Sequence, residues 1–460
     1  MSSIPGQPAQ PGQPAPTARR EPRRLSIFAG LLWILIGSLL LVNNLVADIR
    51  VWQLFRDYWP VLLILLGLVK LADHFRVQQS GGAPARLVSG GEIFLLIMLF
   101  IVGGAIAGWD RVRSQHPDID VHFPWEEEYV FPETASHAAL AARPVRIDLP
   151  RGNVTVIADS INEIQATVQK RVRGGTEEEA RERAQDSGIE IVEMDNSYVV
   201  RRRSGSKDWL RLDVEVRVPS TAAVTARTGS GSVRVQGTQA GVNVDADGNL
   251  EVRDVKGNVE AKVDGDVVVI GAAGDVRIDG SCDDIEIANV SGAASVRCGF
   301  TGNASFRNIA RQLYFKSVRT EFTAGSLPGR MEIGSGDLEV IDAPKDVTLL
   351  TQNYRIRMEN VAGRIQVENR NASVEIRMAQ PPTDDISITN RRGGVELVLP
   401  ANAAFDVDAR SDRGKVDTNF AGLNVRNEGR DQSIEGVVGK GGPRIRIRST
   451  YDDVSLRKGP

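Results

Sequence analysis

Four carboxylates crowd two neighbouring turns of the sequence, Asp264 and Asp266 in one, Asp283 and Asp284 in the next. Paired acids are what glycoside cleavage needs, one to protonate the leaving oxygen and one to activate water or attack the sugar. The same residues are strong turn formers, because an Asp side chain hydrogen-bonds nearby backbone. Sugar cleavage also asks for an aromatic platform, and the last tryptophan is Trp209, ahead of both pairs. The turn reading is the stronger one.

The other candidates fail on spacing. Cys282 and Cys298 suit a disulfide between stacked strands in an oxidising compartment, but Cys282 falls in a turn and Cys298 in a strand, so two buried free thiols are expected. His116 and His122 with Asp118 and Asp120 match no standard metal-ligand pattern. The stretch from Asp245 through Asp247 to Glu251 has the acids of a calcium loop without its twelve-residue pattern. Gly229-Ser230-Gly231-Ser232 is neither a dinucleotide fingerprint nor a nucleophile elbow, and no Ser or Thr follows Gly439-Lys440 to make a phosphate loop. The expectation is therefore a non-enzyme with no catalytic, cofactor-binding or metal-ligating residue.

Composition points the same way. The chain has 460 residues, room for two or three domains, with 56 Lys+Arg against 59 Asp+Glu and a net charge of -3. That balance argues against a nucleic-acid partner. Aromatics are 5% and Gly numbers 45, a profile of short strands and tight turns rather than bulky packing. Two cysteines exclude a disulfide-dense scaffold, and the four histidines all lie in the first third.

The elements that would carry any site fall into two regions. Residues 1–24 are rich in Pro and end in Arg19, Arg20, Arg23 and Arg24, a disordered tail. Three apolar runs follow at 25–47, 58–72 and 93–109, within a transmembrane region of 25–109. The excess of Lys and Arg in the tail and in the loop between the second and third runs places the N-terminus in the cytoplasm. Everything after Trp109 is then outside, periplasmic or extracellular. The segment from Gly30-Leu-Leu-Trp through Leu41-Val-Asn-Asn to Tyr58-Trp-Pro-Val resembles the membrane hairpin of LiaI/LiaF-type envelope-stress proteins. That resemblance implies a multi-pass anchor in the cytoplasmic membrane.

Residues 110–144, with scattered prolines and Glu126-Glu127-Glu128, are expected as a linker. Alternating residues over 145–219 give an opening β-sheet, interrupted by a helix that Thr176 and Glu179 start as a capping box. Over 220–400 a unit Gly-x-Φ-x-Φ recurs about every nine residues, its first apolar position running from Val233 to Val395. A β-solenoid with two or three units per coil fits best, a long antiparallel meander being the alternative. Residues 401–460 close it as a β cap. The repeat, ending in Gly441-Gly-Pro-Arg-Ile-Arg-Ile-Arg, resembles the adhesin-like toastrack family of bacterial β-strand-repeat proteins. It implies a mainly β, non-catalytic interaction scaffold whose partner is an envelope protein or glycan. A polysaccharide-active β-helix enzyme and a self-associating solenoid are the alternatives.

Overall fold

Strands of four to seven residues cannot hold together alone, so the units must pair rung on rung. The computed structural model describes Ile97 and residues 127–140, 142–203 and 210–459, and the fold reported is that of the unit Glu126–Pro460. The tail 1–24 and the expected spans 25–47, 58–72 and 93–109 lie outside the described residues, Ile97 excepted. Among the described residues no helix is long and apolar enough to cross a membrane.

The 31 described strands form one wound sheet with two faces. Two repeat units make one coil, so equivalent turn residues hydrogen-bond across 17, 18 or 19 positions. On the first face Val224, Val242, Val259, Val276, Ala294 and Leu313 lie directly over one another in parallel register. On the second, Val233, Leu250, Val267, Ile285 and Ala304 do the same. The strands Val259–Ala272 and Val276–Val290 run through the corner and serve both faces. Every first apolar position from Val233 to Val395 points inward and is buried.

Parallel pairing breaks in the middle. Glu321–Ala324 and Leu327–Ile333 run antiparallel to the rungs on either side, and a second parallel stack starts with Asp337–Ala343 and Val347–Leu350. The valines and alanines of the first stack give way here to Phe306, Phe315, Phe322 and Met331, all fully buried. Phe300 meets Phe315 edge-on at 5.6 Å. The solenoid and the meander of the sequence reading are thus both present, the second confined to the reversal and the two ends.

Near each end, one pair of strands is threaded between rungs that are distant from it in sequence. Val145–Leu149 and Val154–Asp159 slot between Ser197–Arg202 with Arg211–Pro219 on one side and Val224–Thr228 with Val233–Gln236 on the other. At the far end Arg444–Ser449 and Val454–Lys458 slot between Ile386–Asn390 with Val395–Leu399 and Phe405–Ser411 with Val416–Thr418. The helix Glu177–Gln185 starts as expected: Thr176 Oγ1 accepts from the Glu179 N–H at 3.2 Å, while Glu179 reaches back to the N–H of Gly175.

The linker reading of 110–144 needs correction. Glu127–Ala138 is a strand that pairs antiparallel with all of Glu163–Gly174. Its Glu133 lies 2.6 Å from Lys170 Nζ, which also donates to Ala184 O at the end of the helix. Pro132 is tolerated because this is an edge strand, where a missing N–H costs no ladder bond.

In-register stacking dictates the turns. One polar side chain per coil accepts the backbone N–H of the next: Asp213 from Asn153, Asn153 from Ser232, Ser232 from Asn249, Asn249 from Asp266, Asp266 from Asp284, and Asp284 from Asn303. Beside this column a Cβ on Gly248 or Gly265 would run into the backbone or side chain of the rung below. Outward on the first face, the register places Arg201, Asp148, Arg227, Asp245, Lys262, Asp279 and Arg297 in one row of alternating sign. Like charges stacked directly would repel.

Two predictions follow from this architecture. Val267→Asp buries an unpaired carboxylate between Leu250 and Ile285, a cost of about 3 kcal/mol or more. Its melting temperature should drop sharply, while Glu260→Ala, on the exposed side of the same coil, leaves it unchanged. At the first rung of the turn column, burial pushes the Asp213 carboxyl up, but the Asn153 N–H with Arg171 and Arg211 outweighs it, and the net shift is downward. A carboxylate held below its unfolded value stabilises the fold above that value and loses the contribution as pH falls through the folded one. Melting temperature should therefore fall in acid below about pH 4, and Asp213→Asn should flatten that fall.

Candidate functional site

Where the parallel stack meets the reversal, the second face is scooped out into a groove of about 740 Å³. Its cause is side-chain length. The outward positions Val268 and Ser305, one rung to either side of Glu286, are short, whereas Glu286, Arg307, Glu332, Glu339 and Arg357 are long and stand around them. One rim is the turn column itself, Asp266, Asp284 and Asn303. The column stops at Asn303, because the next rung runs the other way and brings Gly334 there instead.

The groove is charged on every side. Glu332 and Glu339 sit opposite each other across the antiparallel pair, and Arg330 spans them, 2.9 Å from Glu339 and 3.7 Å from Glu332. Arg307 reaches Glu332 at 3.3 Å, and Arg355 reaches Asp337 at 3.5 Å. At the floor the Ser305 hydroxyl is buried with no hydrogen-bond partner among the described residues. A general acid is best made by sinking a carboxyl in an apolar pocket. Glu332 and Glu339 instead lean on guanidinium groups in solvent, an arrangement for presenting charge and hydrogen-bonding groups to a polar ligand.

Of the residues singled out from sequence, Asp266 and Asp284 reach the groove, both as acceptors in the turn column. Asp283 accepts from the Thr301 hydroxyl at 2.9 Å, and Asp264 lies in register with Ser281. The calcium-like stretch is split: Asp245 belongs to the charge row of the first face, while Glu251 on the second is shared by Arg234 and Arg253, each at 2.6 Å. Those two arginines hold the Glu251 carboxyl below its usual range, Arg253 contributing most. His116 and His122 lie outside the described residues. The alternation of the repeat points Glu332 and Glu339 outward but does not show that they face each other. The signal was the hairpin-forming Gly334-Ser335-Gly336-Asp337 between them.

Cys282 does not sit in an exposed turn. It is buried within Val276–Val290, its strand paired with that of Cys298, and both thiols are free. The neighbouring Cys298 thiol and burial push the Cys282 thiol up.

The family model described as Toastrack DUF4097 matches residues 144–457, and that of the LiaI-LiaF-like transmembrane region matches residues 27–71. No curated protein matches the chain. Among solved structures, a candidate cell adhesion protein from Clostridium sporogenes is 8% identical, with 72% of this chain and 100% of that one covered, at a TM-score of 0.17. A candidate adhesin from Bacteroides fragilis is 9% identical, covering 72% and 97%, at 0.20, and one from Parabacteroides distasonis is 10% identical over the same shares, at 0.22. Superpositions this loose say nothing of function.

A thiolate is the species that reacts with alkylating and disulfide reagents. Cys282 is held as the thiol and both cysteines are buried, so folded protein should resist alkylation at the two positions, and guanidinium should release both together. Mass spectrometry of the labelled chain reads the outcome, and rapid labelling of folded protein would show the corner to be open.

Proposed function

We propose, for a chain that belongs to the Toastrack DUF4097 family and carries a LiaI-LiaF-like transmembrane region, that it is an envelope protein whose wound sheet is a non-catalytic binding scaffold. In this reading the tail 1–24 is cytoplasmic, the region 25–109 crosses the membrane three times, and the sheet stands outside. The LiaI-LiaF-like match supports a link to envelope stress. The partner is an envelope protein or glycan rather than nucleic acid.

The observation that carries this reading is the groove at the reversal. It is a preformed concavity on a rigid, hydrogen-bonded stack, lined by charged side chains and an unpartnered hydroxyl. Among the described residues it has neither a histidine nor a cysteine in its lining. Ligands are recognised in such sites by a few placed polar groups.

The groove's facing carboxylates are also the feature that favours the polysaccharide-active alternative, and one experiment separates the two. The full chain, in detergent, is used to capture partners from envelopes, beside a Glu332→Gln/Glu339→Gln/Arg357→Gln variant. A scaffold should lose its captured partner only in the triple variant, with each single change costing severalfold at most and melting unchanged. Turnover of an envelope polysaccharide that disappears in Glu332→Gln or Glu339→Gln alone, at unchanged melting temperature, would replace the scaffold with an enzyme.

A further inference from the structure

The second parallel stack carries a different feature at the corner between its faces. The rungs there follow the order Ile365–Asn369, Ile386–Asn390, Arg444–Ser449 and Phe405–Ser411, each ending in a tight turn. The turns stack through backbone bonds: Arg392 N–H donates to Arg370 O at 3.0 Å, Thr450 N–H to Asn390 O at 3.3 Å, and Asp412 N–H to Ser449 O at 3.1 Å. Beneath them a buried polar column fixes the conformation. Asn390 Nδ2 donates to Ala372 O and Gly393 O at 2.9 and 2.7 Å, and the hydroxyls of Ser411 and Ser449 both donate to Asp452 O.

On this rigid base Tyr451 projects from the middle rung. The guanidinium of Arg392 approaches its ring from the rung on one side, at 5.5 Å, and that of Arg413 from the rung on the other, at 4.9 Å. Such contacts orient a guanidinium while leaving its N–H edge free. Arg370, Arg391 and Lys415 extend the row, and none of these five cations has an ion-pair partner among the described residues. Three carboxylates lie nearby. Asp452 accepts from the Gly393 N–H and Asp453 from the Lys415 N–H, both at 2.7 Å, while Asp412 is exposed. Two of the three are thus engaged by backbone, and the corner is left net positive. The Tyr451 hydroxyl also has no partner among the described residues.

We propose that this corner binds a linear polyanion of the phosphodiester or polyphosphate type. Donor forks held one rung apart, at multiples of ~4.8 Å, form a line of anion sites and not a single pocket. Arginine forks match phosphate oxygens two at a time. A membrane surface is disfavoured, because Asp412, Asp452 and Asp453 share the row and, among the described residues, no large exposed apolar side chain lies in these turns.

The test uses the full chain in nanodiscs of neutral lipid, with short-chain polyphosphate as the probe. Wild type should bind it with an affinity that falls as salt rises, and orthophosphate should compete only weakly. Arg392→Gln/Arg413→Gln should lose at least tenfold in affinity at unchanged melting temperature, and Tyr451→Leu should lose less. Should the double variant melt early, the single Arg392→Gln and Arg413→Gln chains, each leaving one guanidinium on the ring, carry the comparison. Equal binding by wild type and the variants, no binding at all, or capture of phosphatidylglycerol vesicles in preference to polyphosphate would each overturn the proposal.

Discussion

A parallel stack with no stagger sets every residue directly over its counterpart one coil away, at ~4.8 Å. Most of what distinguishes this protein answers that constraint. An inward valine over a valine is favourable, so the core can be monotonous. A side chain at a tight corner would strike the backbone below, so glycines fall in columns. A charge over a like charge would repel, so the outward row from Arg201 to Arg297 changes sign at each coil. A turn amide would lack an acceptor, so one Asp, Asn or Ser per coil supplies it.

The sites lie where that regularity lapses. At the central reversal the columns cannot continue, the core is filled by four large side chains, and two glutamates are brought face to face with arginine between them. At the corner of the second stack it is the charge balance that lapses. Across these turns the cations outnumber the acids, and a tyrosine ring in the middle turn holds two of the arginines, one from the turn on either side. Function in such a fold is written as local exceptions, and a rigid repeat makes exceptions stand still.

The period and the inward positions were legible in the sequence because they are local: alternation and a glycine every nine residues are visible within one window. Strand direction was not, since a nine-residue unit winds equally well into a coil or folds into a meander. Nor could the sequence show that Val145–Asp159 and Arg444–Lys458 are interior rungs, because their neighbours lie up to 79 residues away in the chain, as Val145 and Val224 do. Glu127–Ala138 was hidden for another reason. Its acidic start and Pro132 look like linker, and only the partner Glu163–Gly174 and the Glu133–Lys170 contact reveal an edge strand. The opposed glutamates of the groove depend on one antiparallel turn, which alternation alone cannot locate.

The slotted terminal rungs have a consequence for the order in which the domain is made. A simple solenoid can grow coil by coil as it leaves the ribosome or the translocon, each new rung resting on a finished one. Here the first pair of strands waits for residues as far on as Gln236 before both its flanks are covered. The other end keeps a vacant slot between Ile386–Leu399 and Phe405–Thr418 until the last segment arrives. The two slots behave as clasps, one shut only when residues through Gln236 are made and the other when residues through Lys458 are. A product cut short before Arg444 keeps raw strand edges on both sides of that slot, the kind of surface that proteases and chaperones recognise.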